Sequence, residues 1–388
     1  MRVLLYGGSF NPPHLGHVDA LRAAAEALCP QEILVIPASI PPHKQMADGS
    51  PAPEERLRLC RLAFASVPGA AVSDLEMRRE GKSYTVDTLR EISAKKPGAE
   101  LYFLVGTDML SSMELWYEFR EIFSLCTLAA LPRNEGEETA LSAQADALRE
   151  KYGARIVLIP KAPLPMDSTS LRSSLCDRLG RERLPEEVYG EIIRRRYYGA
   201  KPDLAWLREK AYAWLKPRRI PHVRGCEQEA VRLAAVWNED AGEAAEAAIL
   251  HDITKKLSYE EQLQLMEKYD IMSDAAELSE PKLLHARTGA CVARELFGVS
   301  DRVFGAIEWH TTGRPGMSVL EEIIYLADFT EPTRDFPGLE KVRALTDRSL
   351  RQAMIEALRL SMQEVRSRGA EPHSRSEKTL EWLLETEE

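Results

Sequence analysis

The chain has 388 residues, of which 44% are hydrophobic and 29% charged, as in ordinary globular proteins. This length predicts two or three domains. The net charge of −10 disfavours general nucleic-acid binding, RNA and ribosomal partners included. No apolar run approaches the roughly 18 residues of a membrane span, and the six cysteines form no C-x-x-C pair. We therefore expect a cytoplasmic protein with reduced thiols and no membrane partner.

A strand pattern at residues 3–6 leads through a short loop into a helical pattern over residues 18–28. A strand-to-helix turn presents free backbone N–H groups and the positive end of a helix dipole, both suited to phosphate. Glycines let the backbone approach a ligand closely, and two histidines one helical turn apart should share a face. The loop residues expected at this phosphate site are Gly7, Gly8, Ser9, Phe10, His14 and His17.

Short apolar runs alternate with helical patterns through the rest of the first half. We predict strands at residues 33–37, near 72, and at 101–106, 127–131 and 155–159. Helices are predicted over 54–67 and after Ser83 or Thr85, either of which fits an N-cap. This order predicts a doubly wound parallel α/β sheet with its ligand site at the carboxyl ends of the strands.

Polar and aromatic residues follow several of these strands. A lysine there suits polyphosphate, although a solvated surface lysine is the commoner case. Hydroxyls at a helix start, with an arginine one turn on, suit an anion but also simple capping. A tryptophan in such a place more often packs in the core. These candidates are Lys44, Asp108, Trp116, Ser168, Thr169 and Arg172.

The pattern changes near residues 199–203, after which we find no convincing strand. Helical patterns predict an all-α second half, and we place the domains at residues 1–199 and 203–388. The last dozen residues read as a charged terminal helix. The predicted helices cover residues 204–215, 228–237, 241–251, 259–269, 285–297, 303–310, 320–330 and 339–369.

The second half also contains a set of histidines and aspartates in or beside the predicted helices. A single helical histidine is more often a core or surface residue, but imidazole and carboxylate together suit a first-row divalent metal. Lys255 and Arg314 are placed to hold a phosphate beside such a metal. The candidate ligands are His222, His251, Asp252, His285, His310 and Asp328.

Residues 7–17 resemble the GGxFxPxHxGH motif of the nucleotidyltransferases, and residues 168–172 resemble their S-T-x-I-R signature. Residues 83–89 and 106–108, followed by Trp116, are similar to the bacterial nicotinate-nucleotide adenylyltransferases within that superfamily. Asp167 departs from the serine more common at that position. The resemblance covers about residues 1–199 and implies transfer of AMP from ATP to nicotinate mononucleotide, a step of NAD biosynthesis.

This resemblance also implies roles at the phosphate end of the site. His14 and His17 would contact the ATP phosphates. Lys44 and Arg172 would stabilise the leaving pyrophosphate, and Mg²⁺ would arrive with the ATP.

At the acceptor end, Thr85 would receive the nicotinate carboxylate and Trp116 would stack on the pyridine ring. Asp108 would bind a ribose or help to order the site. A sister adenylyltransferase acting on phosphopantetheine shares the histidine motif and is the alternative, although it would not require the features at residues 83–89 and 116.

In the second half, His222, His251, Asp252 and Asp328 resemble the H…HD…D pattern of HD-superfamily phosphohydrolases. Residues 310–315 and 324–332 narrow the similarity to bacterial members that cut diadenosine tetraphosphate into two ADP. The resemblance covers about residues 203–370.

The same resemblance implies one or two divalent metals, with His285 and His310 carrying the second, and the family is associated with iron. The ligands would equally accept Mn, Co or Zn. The metals would generate hydroxide from bound water, and Asp252 is the expected catalytic ligand. A module that kept the ligands but only senses nucleotides is the alternative.

Overall fold

The computed structural model describes residues 1–42, 45–160, 164–272, 278 and 283–385. It divides into two compact units, Met1–Lys201 and Pro202–Glu388. Among the described residues, no helix has both the length and the apolar character that crossing a membrane requires.

The first unit contains a six-stranded sheet in the order β3-β2-β1-β4-β5-β6, and every neighbouring pair is parallel. The predicted doubly wound parallel sheet is confirmed. Val3, Leu4 and Leu5 of the central strand are fully buried, as a strand covered on both faces requires. The strands are β1 Arg2–Gly8, β2 Glu32–Pro37, β3 Ala70–Val72, β4 Glu100–Gly106, β5 Thr127–Leu131 and β6 Ile156–Leu158.

Helices connect these strands, and the chain reverses its direction across the sheet beside β1. The gap between β1 and β4 is therefore the switch point at which such sheets bind ligands. The helices of this unit are α1 Leu15–Leu28, α2 Pro53–Phe64, α3 Thr85–Lys95, α4 Thr107–Ser111, α5 Phe119–Leu125, α6 Glu138–Tyr152, α7 Ser168–Cys176 and α8 Glu186–Arg195.

Two predicted helix starts were wrong. The N-cap of α3 is Tyr84, and Thr85 is already the first helical residue. At α7 the N-cap is Asp167, whose carboxylate accepts hydrogen bonds from the N–H groups of Thr169 and Ser170. The hydroxyls of Ser168 and Thr169 are thus not needed for capping, because the acidic residue that departs from the family pattern performs it.

The second unit is helical in its described part, which confirms the predicted all-α class. Its helices are α9 Leu204–Tyr212, α10 Ile220–Val236, α11 Ala241–Leu250, α12 Tyr259–Lys268, α13 Leu284–Phe297, α14 Asp301–Glu308, α15 Val319–Thr330, α16 Leu339–Thr346, α17 Leu350–Ser367 and α18 Ser374–Glu385.

Two helices of this unit differ from the prediction. Helix α10 begins at Ile220 rather than at residue 228. Pro221 does not prevent this earlier start, because it lies in the first turn, where proline is tolerated. The helix predicted over 339–369 is broken into α16 and α17. Ser349 forms the new N-cap and accepts a hydrogen bond from the Gln352 N–H.

Candidate active sites

A cavity of about 440 Å³ opens at the carboxyl ends of the strands in the first unit. Most of the site residues predicted for this half line it together, although they come from distant parts of the chain. Lys44 lies outside the described residues. The predicted residues that line the cavity are Gly7, Gly8, Ser9, Phe10, His14, His17, Thr85, Asp108, Trp116, Ser168 and Thr169.

His14 and His17 begin α1 and cap it reciprocally. The His14 Nδ1 accepts the His17 N–H at 3.4 Å, and the His17 Nδ1 accepts the His14 N–H at 3.2 Å. Their rings stack with centroids 3.6 Å apart. In a neutral ring whose Nδ1 accepts, Nε2 carries the proton, and burial lowers the pKa of His14 to about 4. His14 is therefore a neutral N–H donor at a helix N-terminus, which suits a phosphate oxygen.

The two glycines have a packing role that the sequence analysis missed. A Cβ on Gly7 would lie 3.1 Å from the Phe103 ring, and one on Gly8 would lie 3.2 Å from the Phe10 ring. Phe10 is buried with a φ of 43°, and its ring centroid lies 5.1 Å from that of His17. Close aromatic packing, as well as ligand approach, thus favours glycine at both positions.

The cavity is also lined by residues of α3 and of the segment after β4. Thr85 is the first residue of α3, and Trp116 packs edge-on to Phe103 at 6.3 Å between centroids. Asp108 forms an ion pair with Arg133, with Oδ2 and Nη1 2.5 Å apart. Arg133 also lines the cavity and was missed, although it follows β5 and the strand-end rule could have found it.

Arg172 does not line the cavity as the structure describes it. Its Nη1 donates to the Asn11 carbonyl at 2.7 Å, and its Nη2 donates to the Thr169 Oγ1 at 3.2 Å. The guanidinium therefore holds the phosphate loop by its backbone. The expected contact with pyrophosphate stays a prediction.

In the second unit, the six predicted ligands meet in one buried cluster. Two subsets have ligand atoms within 4.8 Å of one another, and His251 belongs to both. The His222 Nε2 lies 2.9 Å from the Asp328 Oδ1 and 3.4 Å from the His251 Nε2. On the other side, the His285 Nε2 lies 3.1 Å from both the Asp252 Oδ1 and the His310 Nε2.

The outer nitrogens of these rings explain why the cluster suits a cation. The His251 Nδ1 donates to the Ala248 carbonyl at 2.7 Å, and the His222 Nδ1 lies 3.1 Å from a Glu331 carboxylate oxygen. Rings held in this way direct their Nε2 atoms at each other and at Asp328, an arrangement that a metal ion between them would stabilise. Glu331 is fully buried and was missed as a ligand partner.

Basic side chains balance the carboxylates of the cluster. Arg219 donates to the Asp252 carboxylate, and the Arg334 Nη2 lies 2.9 Å from the Asp328 Oδ1. The Lys255 Nζ lies 3.5 Å from the Asp252 Oδ1 and 3.1 Å from the His285 Nε2, and its phosphate-binding role stays a prediction. Burial opposes ionisation of Asp252, yet the neighbouring histidines and Lys255 hold its pKa well below the usual range.

Arg314 is engaged elsewhere. Its guanidinium binds Glu321, with the Nη2 2.9 Å from Oε2 and the Nε 3.2 Å from Oε1. Glu321 is buried and also accepts the N–H of Ser318 at the start of α15. Arg314 thus supports the local fold, and its phosphate-binding role stays a prediction.

A cavity of about 800 Å³ borders the metal cluster. The ligands His310 and Asp328 lie at its wall with Arg334, and the rings of Phe329 and Phe336 form an apolar side. Those two rings meet edge-on at 5.2 Å. A cation, two metal ligands and aromatic rings in one cavity could receive a nucleotide with its phosphates against the cluster.

Comparison with known proteins divides the chain in the same way. Residues 5–173 match a family described as cytidylyltransferase-like, and residues 219–333 match the HD domain. A nicotinate-nucleotide adenylyltransferase of Geobacter metallireducens is 35% identical over 215 residues, covering 51% of this chain and 98% of the relative.

Two further similar proteins carry hydrolase names. A Mycoplasma pneumoniae protein named nicotinate-nucleotide adenylyltransferase/Ap4A hydrolase is 28% identical over 332 residues, which is 85% of this chain and 89% of that one. A crystal structure of an HD-superfamily hydrolase involved in NAD metabolism, from Clostridium acetobutylicum, is 32% identical. It covers 46% of this chain and 96% of its own, with a TM-score of 0.45.

Proposed function

The chain belongs, through its first half, to the nicotinate-nucleotide adenylyltransferase family, and we propose that residues 1–199 transfer AMP from ATP to nicotinate mononucleotide, releasing pyrophosphate. The observation that carries this assignment is the shared cavity. The stacked pair His14 and His17 lines the same cavity as Thr85 and Trp116. One cavity therefore offers both phosphate donors and an aromatic ring for the acceptor.

The reaction is an in-line attack of the mononucleotide phosphate on the α-phosphorus, without a covalent intermediate. Such chemistry depends on positioning and on stabilising charge. His14 and His17 donate N–H groups to the ATP phosphates, and the N-terminus of α7 at Ser168 and Thr169 faces the same cavity. Lys44 and Arg172 stabilise the leaving pyrophosphate, and Mg²⁺ accompanies the nucleotide.

At the acceptor end, Thr85 receives the nicotinate carboxylate and Trp116 stacks on the pyridine ring. Asp108, in its ion pair with Arg133, binds a ribose or orders the site. Incubating the protein with ATP and either nicotinate mononucleotide or phosphopantetheine tests this acceptor choice. If product formed only with phosphopantetheine as the acceptor, the assignment would be overturned in favour of the sister enzyme.

Residues 203–388 form a metal-dependent phosphohydrolase domain that splits diadenosine tetraphosphate into two ADP. The carrying observation is the cluster of His222, His251, Asp252 and Asp328 next to the large cavity. His285 and His310 adjoin Asp252 and would hold a second ion. The metal, for which iron is our candidate, would supply activated water and polarise a phosphoryl oxygen.

The side chains of this domain bind and orient the substrate. Arg334 and Lys255 place positive charge beside the cluster for the polyphosphate. Phe329 and Phe336 offer an apolar wall to a nucleoside. Both activities act on adenine nucleotides and belong in the cytoplasm.

One experiment tests both halves. The protein is incubated with ATP and nicotinate mononucleotide, and separately with diadenosine tetraphosphate, each with and without a chelator, and the products are separated by chromatography. We expect dinucleotide from the first mixture and ADP from the second. A metal-loaded protein that cleaves no nucleotide would instead make the second half a sensing module.

A further inference from the structure

A buried polar network surrounds Asn11, in the middle of the phosphate loop. Its side-chain Oδ1 accepts a hydrogen bond from the Tyr198 Oη at 2.8 Å, and its Nδ2 donates to the Ser50 Oγ at 2.8 Å. Asn11 and Tyr198 are each only 5% exposed. The amide is therefore fixed at both ends in a place with little access to water.

Two backbone carbonyls of the same loop, those of Ser9 and Asn11, are also bound. Arg56, which is 1% exposed, donates its Nη1 to the Ser9 carbonyl at 2.9 Å and its Nη2 to the Ser39 carbonyl at 2.8 Å. Arg172 donates to the Asn11 carbonyl. Charged donors to buried carbonyls make strong, directional contacts, so the loop is held on both sides of Phe10.

Tyr198 is itself held in an uncommon backbone conformation. Its φ of 62° lies in the left-handed region, which costs a bulky residue about 1–2 kcal/mol. The Tyr198 N–H donates to the Gly49 carbonyl at 2.9 Å, and the Tyr198 carbonyl accepts a hydrogen bond from the Cys176 thiol at 3.1 Å. These contacts fix the point from which the hydroxyl reaches Asn11.

We propose that Tyr198, acting through Asn11, is a positioning residue for adenylyl transfer, an inference that rests on the proposed function of the first half. Among the described residues, neither side chain lines the cavity, whereas Phe10, His14 and His17 do. Loss of the Tyr198 hydroxyl leaves the Asn11 Oδ1 buried without a donor. The loop between Phe10 and His14 then loses its fixed geometry, and contacts to the ATP phosphates weaken.

The test compares Tyr198→Phe with Tyr197→Phe in the full chain. Tyr197 is a matched control because its hydroxyl also donates a hydrogen bond, to Glu55, outside the network. For Tyr198→Phe we expect the KM for ATP to rise about fivefold to tenfold and kcat to fall. The KM for nicotinate mononucleotide should stay within about twofold, since Thr85 and Trp116 are untouched. Tyr197→Phe should match the wild type.

Each outcome decides the proposal. A merely structural role would lower the melting temperature of Tyr198→Phe and leave its KM for ATP equal to that of Tyr197→Phe, which overturns the inference alone. A wild type that forms no dinucleotide overturns the proposed function and this inference with it. If Tyr198→Phe does not fold, Ser50→Ala, which removes the other partner of the Asn11 amide, decides in its place. A raised KM for ATP supports the proposal, and an unchanged one contradicts it.

Discussion

The two candidate sites differ in what holds their functional atoms. In the first unit, His14 and His17 are fixed by the N–H groups at the start of α1, and Asp167 fixes the start of α7 in the same local way. In the second, the ligands are side chains from α10, α13, α15 and the turns after α11 and α14, buried with opposite charges around them. A phosphate site can thus be built from short contiguous motifs, whereas a metal cluster depends on long-range packing.

Asp252→Ala should have the largest effect and should separate the two sites. It removes a fully buried carboxylate that adjoins ligands on both sides of the cluster, and it takes away the nearer partner of Arg219, which keeps Asp328 at 3.8 Å. We expect hydrolysis of diadenosine tetraphosphate to fall on the order of 10³-fold and bound metal to be lost, while adenylyl transfer is unchanged. Rates and elemental analysis check this. The control is Asp347→Ala, which removes a half-exposed carboxylate paired with Arg232; equal hydrolysis by both variants would contradict the role.

His17→Ala should show the reverse selectivity. It removes one imidazole that lines the cavity and one side of the capping box. We expect turnover of adenylyl transfer to fall about 10²-fold, with hydrolysis unaffected. Steady-state kinetics of both activities on one preparation measure this. Near-normal transfer by the folded variant would rule out the assigned role.

Glu322→Gln tests how a buried carboxyl in the second unit makes stability depend on pH. Burial raises the pKa of Glu322 to about 7; Arg351 opposes the shift and Glu321 adds to it. The folded state thus retains a proton that the unfolded state loses above its lower, ordinary pKa, so stability falls as the pH rises through about 7. The neutral variant avoids this loss. Its free energy of unfolding, compared with that of wild type, should therefore be about 2 kcal/mol more favourable at pH 8 than at pH 5. Thermal unfolding across this range checks the trend; a pH-independent difference would refute it.

Asp167→Ala should have the smallest effect, on stability. It removes the carboxylate that accepts the Thr169 and Ser170 N–H groups and should cost about 1 kcal/mol. Asp167→Ser is the matched control, because a serine hydroxyl can also cap the helix. Denaturant unfolding should place the serine variant near wild type. Equal losses in both would point to a role beyond capping.

The sequence predicted the architecture well because its signals were local. Every strand of the sheet coincides with a short apolar run, and the histidine and aspartate pattern picked out residues that the fold brings together in one cluster. The prediction failed at helix ends, where one residue such as Asp167 or Pro221 decides the boundary. It also missed Glu331 and Tyr198, because their partners are 109 and 187 residues away in sequence. Only the packed fold brings such pairs together.

The hydrogen bond from Tyr198 to Asn11 has a consequence for biosynthesis. A chain made from its N-terminus exposes the phosphate loop almost at once, but the residue that closes the network emerges only 187 positions later. The loop can bind Ser50 and Arg56 early, but it lacks the Tyr198 contact until nearly the whole first unit has left the ribosome. Shortened versions of this unit that end before Tyr198 would carry the full histidine motif and still lack its last support.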